Sequence, residues 1–114
     1  MESFEVAEQI QLCQRKLLEA LGELDKEVKS KRHSRAMALL EQLKGQMTQT
    51  LFDKKIPIGV IKEIVRDSTH KQVEELTQVE DELNLIRSRI EVYKAVLNGW
   101  QSVFRYLSDL PENQ

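Results

Sequence analysis

Ten apolar residues in the last third of the chain alternate in steps of three and four: Leu76, Val79, Leu83, Ile86, Ile90, Tyr93, Leu97, Trp100, Phe104 and Leu107. No position fails across more than four heptads. A strand needs a period of two, so this spacing predicts one long helix with a narrow apolar seam. Leu76, Leu83, Ile90, Leu97 and Phe104 take the a sites, and Val79, Ile86, Tyr93, Trp100 and Leu107 the d sites. A seam of that type requires a facing helix, from the same chain or from another. Thr69 and Gln72 fit a capping box at its start. Pro111 disfavours a helical Leu110, which sets the end near Asp109. About 40 residues at ~1.5 Å each make a rod of roughly 60 Å. A compact chain of this length has a radius of gyration of only ~13 Å, too small to enclose the whole seam.

The rest of the sequence also reads as helix. Ile10, Leu17, Leu21, Leu24 and Val28 form a seam over residues 3–29, with Cys13 one position away from it. Ala36, Leu40, Leu43 and Met47 form a second run out of phase with the first, over residues 35–51. The polar stretch Lys29-Ser30-Lys31-Arg32-His33-Ser34-Arg35 between them predicts a turn. Pro57 opens a short helix over residues 57–66, and the long helix covers 69–109. The expectation is a single all-α domain over residues 1–114. It is an extended helical hairpin or bundle with one long C-terminal coiled-coil-type helix, its four helices antiparallel or nearly so because the connections are short.

Composition narrows the function. Charged residues make up 32% of the 114 residues and aromatic residues 5%, a profile of long helices and not of a sandwich or doubly wound sheet. No stretch reaches the ~20 apolar residues of a membrane span, so no membrane partner is expected. No basic start followed by an apolar block is present, so no leader is expected either. The single cysteine, Cys13, rules out an internal disulfide framework and points to a reducing, cytoplasmic compartment, or the host cytoplasm for a viral chain. As a buried small hydrophobe it has little thiol chemistry to offer. There is no phosphate-binding glycine loop, no HExxH and no nucleophile elbow. His33 lies in a basic run that repels metal ions, and His70 beside Asp67 is too few ligands for a site. No enzyme activity, cofactor or metal is expected.

Charge is segregated along the chain. The net charge of −2 divides into −4 over residues 1–25, +6 over residues 26–66 and −4 over residues 67–114. A local basic field acts on an approaching phosphate more strongly than the molecular total does. Lys29, Lys31, Arg32, Arg35, Lys44, Lys54 and Lys55 are the candidate nucleic-acid contacts, because phosphate binding needs several cationic contacts and no fixed motif. Phe52 and Tyr106 lie off the seams and are free to stack bases.

The charges beside the long seam bear on assembly. In a parallel homodimer Glu75 would face a second copy's Glu80, and Arg89 its Lys94, so simple parallel pairing is disfavoured. At Val96 and Val103 the g sites become apolar, and a widened stripe suits more than one packing neighbour. Leu83, Ile86, Ile90, Tyr93, Leu97, Trp100, Phe104 and Leu107 are the candidate oligomerisation residues, unless docking of the N-terminal helices covers them.

Over residues 29–108 the layout resembles the phage recombination mediators of the UvsY type and their small helical relatives. A basic middle is followed by the short helix Val60-Ile61-Lys62-Glu63-Ile64-Val65 and a polar break at Asp67. The long helix then ends in Trp100-Gln101-Ser102-Val103-Phe104-Arg105-Tyr106-Leu107. The resemblance implies a ring-like oligomer that binds single-stranded DNA and helps a RecA-type recombinase replace a single-strand-binding protein. A slightly acidic chain departs from that pattern; assembly of many copies would gather its weak basic patches by avidity. The alternative is a coiled-coil protein-interaction module, such as an adaptor, an export chaperone or a viral inhibitor of a host complex, whose basic segment meets an acidic protein surface.

Overall fold

A computed structural model describes residues 2–110. It is all-α, with no strand among the described residues. Helix α1 spans Ser3–Ser30, α2 Arg32–Asp53, α3 Ile58–Ser68 and α4 His70–Ser108. At 39 residues α4 is roughly 58 Å long, as its heptads predict. No helix among the described residues is long and apolar enough to cross a membrane. The chain forms two compact units, one from residues 2–26 with 83–110, the other from Glu27–Glu82.

The first unit pairs α1 with the later part of α4. Arg89 Nη2 donates to Glu23 Oε2 at 3.0 Å. A parallel pair in that register would set Val6 level with about residue 72, outside this unit. Val6 is fully buried, so the two helices run antiparallel. The α1 seam differs from the one expected. Val6, Cys13 and Ala20 are buried and Ile10, Leu17 and Leu24 half-buried, whereas Leu21 and Val28 are exposed. The buried set still steps by three and four; it selects small side chains where the sequence offers larger ones nearby. In this register Cys13 and Ala20 fall near the levels of Trp100 and Tyr93.

In the second unit α2 packs on α3 and the start of α4. Leu40, Ile61, Val65, Thr69 and Val79 are buried; Ala36, Leu43, Met47 and Leu76 are half-buried, so the expected α2 seam is the one used. The turn expected over residues 29–35 is a single residue, Lys31, and α2 begins at Arg32 rather than at 35. The Thr69–Gln72 capping box does not form. Thr69 is fully buried, and its hydroxyl donates backwards to the Val65 carbonyl at 2.7 Å. A threonine at a helix junction can satisfy its hydroxyl on the preceding turn, which removes it as a forward cap. The backbone bonds Thr69 N to Val65 O and Val73 N to Thr69 O carry the helical ladder through the break. α3 and α4 therefore continue in one direction, where an antiparallel turn had been expected.

Candidate nucleic-acid interface

The seven expected cationic residues all lie in the second unit, and the fold sorts them. Arg32 Nη1 donates to Glu27 Oε1 at 2.8 Å and to Glu82 Oε2 at 2.9 Å. The hydrogen bond to Glu82, then the field of both carboxylates, holds the guanidinium above the usual arginine range. With two carboxylates already on it, Arg32 has less charge to offer a phosphate than the cations without an ion pair. Lys29 is exposed but has an interaction of its own. Lys44 is half-buried on the middle of α2. Lys31, Arg35, Lys54 and Lys55 are exposed, and among the described residues none of the four forms an ion pair. His33 Nε2 lies 3.1 Å from Glu80 Oε1.

The four remaining cations form two groups. Lys31 and Arg35 stand at the start of α2, and Lys54 and Lys55 just past its end. The 22 residues of α2 separate them by roughly 33 Å. One copy therefore offers two small basic ends and no continuous track.

The end near residue 55 is shaped by its turn. Lys55 has φ 62 and its N–H donates to Phe52 O at 2.9 Å, while Ile56 N–H donates to Leu51 O at 3.2 Å. These two bonds form a Schellman cap with Lys55 in the left-handed position, and Pro57 follows and starts α3. Glycine is the residue that takes this conformation without steric cost. Lys31 takes it too, at φ 58. Among the described residues, both non-glycine residues with positive φ are thus lysines flanking α2, and no glycine has a positive φ. A side chain other than glycine in this region costs roughly 1–2 kcal/mol. Backbone strain of this kind persists where another demand holds it, and it collects at functional positions.

Phe52 lies beside this turn with 66% of its surface exposed. With Asp53, Lys55 and Ile56 it lines an open concavity of about 480 Å³. An exposed ring next to two lysines has the components of a base-stacking platform: a π face for the base and cations for the phosphates on either side. Sequence reasoning identified Lys54, Lys55 and Phe52 but not the left-handed turn.

Lys55→Gly separates the two demands. Relief of the strain should stabilise the chain by about 0.5–1 kcal/mol, seen as a raised midpoint in urea. Oligonucleotide affinity should fall in the same protein. A variant that gains stability with unchanged binding would remove Lys55 from the interface.

The expected oligomerisation residues also change in standing. Leu83 and Ile90 are 7% and 4% exposed within a single chain, covered in the first unit, so they are not available to hold subunits together. Ile86, Tyr93, Leu97, Trp100 and Leu107 are half-buried, and Phe104 is exposed. Among the described residues no group of three or more His, Cys, Asp or Glu side chains is placed to hold a metal ion. Comparison with protein families, with curated proteins and with solved structures finds no match to this chain.

Proposed function

We propose that the chain is a non-enzymatic helical protein that binds single-stranded nucleic acid as a homo-oligomer and assists a recombinase or a replication assembly. The observation that carries the reading is the pair of strained lysines, Lys31 and Lys55, each presented with a second free cation at an end of α2. Each end alone supplies two cationic contacts, which is weak. Several copies in one assembly would multiply those contacts through effective concentration, so a chain with a net charge of −2 can still hold a polyanion. The resemblance to recombination mediators of the UvsY type agrees with this reading and supplies the recombinase as the expected protein partner.

A salt titration tests it. Oligodeoxythymidylate labelled with a fluorophore should bind at low salt and be released as salt rises. The logarithm of affinity should fall by ~0.7 per phosphate contact for each unit of log salt. No binding at low salt, or binding indifferent to salt, would end the proposal. The interaction-module reading then takes its place. It is favoured by a shallow, mostly apolar groove between α2 and α3, lined by Met47, Leu51, Ile64, Gln46, Thr50 and Ser68.

A further inference from the structure

The concavity at the end of α2 holds a residue that phosphate binding does not use. Phe52 and Asp53 close the helix, and both line the concavity together with Lys55 and Ile56. Asp53 is exposed and forms no ion pair among the described residues. A negative charge in the last turn opposes the helix dipole, and α2 has no basic residue in that turn to offset it. Beside two lysines it also works against an approaching phosphate. Neither helix stability nor phosphate contact therefore accounts for a carboxylate at this position. Gln49 Nε2 donates to Asp53 Oδ1 at 3.0 Å from the preceding turn. That bond uses one of the roughly four acceptor sites of a carboxylate, and the others are left to a ligand.

We propose that this concavity takes one unpaired guanine base of the strand. Phe52 stacks on its face, Asp53 accepts from its N1–H and N2 amino groups, and Lys54 and Lys55 meet the neighbouring phosphates. Such a site rests on the nucleic-acid reading above and adds a base preference to it. The choice of base follows from the order of donors and acceptors along the pairing edge, which single-strand readers use. Guanine sets two donors side by side there, and they match the two oxygens of one carboxylate. Adenine and cytosine set a ring-nitrogen acceptor beside their amino group, and that nitrogen would face a carboxylate oxygen. Thymine has one N–H between two carbonyls, and both are repelled. Base pairing would occupy the same edge of guanine, so the selection is for a single strand. The volume of about 480 Å³ lies within the ~300–1,000 Å³ of small-ligand sites, and half-buried Ile56 adds apolar lining for the ring.

Fluorescence anisotropy of the full chain at low salt compares oligodeoxythymidylate with the same strand carrying a guanine, an inosine or an adenine at its centre. The guanine strand should bind at least about five-fold more tightly than the thymidylate and adenine strands, the low end for a bidentate base contact. Inosine lacks the N2 amino group and should lose most of that gain. Asp53→Asn keeps an acceptor for Gln49 but replaces the other oxygen with a donor. It should abolish the preference and leave thymidylate affinity no lower. Phe52→Leu should weaken every strand, because each loses the stacking ring. Equal affinity of the wild-type chain for guanine and thymidylate strands overturns the base preference while the nucleic-acid reading stands. A guanine preference that survives Asp53→Asn overturns the role of Asp53, and binding of no strand at all ends both readings. Guanosine monophosphate should displace the strand only at concentrations far above the strand's own. Displacement at equal concentration would make a free nucleotide the ligand and overturn the assignment to a strand.

Discussion

Ile90→Asp should unfold the first unit, whereas Val92→Glu, two residues away, should leave it folded. Ile90 is 4% exposed in an apolar seam, where a carboxylate would be taken out of water. Removing its side chain alone costs about 2–5 kcal/mol, and burying an unpaired charge adds to that. Domains of this size are stable by only ~5–15 kcal/mol, so the loss is a large fraction of the total. Val92 faces outward on the same helix, and a surface substitution there stays within about 0.5 kcal/mol. Thermal unfolding followed by circular dichroism compares the two. Equal midpoints would mean that the α1–α4 pairing described above is not what holds the unit together.

Reversing the charge of Lys54 and Lys55 should weaken oligonucleotide binding by at least about ten-fold at low salt, because two contacts become two repulsions on every copy. The salt slope should fall by about 1.4 per chain engaged, the share of two phosphate contacts on a single strand. Helix content should not change, since both residues are exposed and neither forms an ion pair among the described residues. Arg32→Gln provides the internal comparison. Its guanidinium is held by Glu27 and Glu82, so this substitution should act on the stability of the second unit and leave the salt slope unchanged. If Arg32→Gln lowered the slope while Lys54→Glu with Lys55→Glu did not, the interface would have to be moved to the other end of α2.

The two halves of the sequence were legible to different degrees, for physical reasons. In α4 ten large side chains repeat over more than four heptads, so one misplaced residue could not have hidden the period. In α1 the seam runs through Cys13 and Ala20, side chains too small to stand out, while the larger Leu21 and Val28 face outward. Hydrophobic size alone therefore does not mark the buried face of α1. Thr69 reads as a cap in the sequence because hydroxyls usually cap; its backward bond to Val65 depends on burial that a local pattern does not encode. The candidate interface divides similarly. Lys54 and Lys55 were legible as cations of the basic middle, and Phe52 as an aromatic residue off the seams. The pairing of Arg32 was not, because its partner Glu82 lies 50 positions away and is brought near by the fold.

Cys13 gives the molecule an internal clock. It is the only thiol in the chain and lies buried in the seam between α1 and α4. Only 6% of the residue is exposed, so an alkylating reagent reaches the sulfur chiefly when the two helices part. The rate at which a maleimide is consumed therefore measures how often this helix pair breathes, with no probe added and no residue changed. A strand of nucleic acid or a second copy that steadies the pair would slow that rate, and one that pries it open would quicken it.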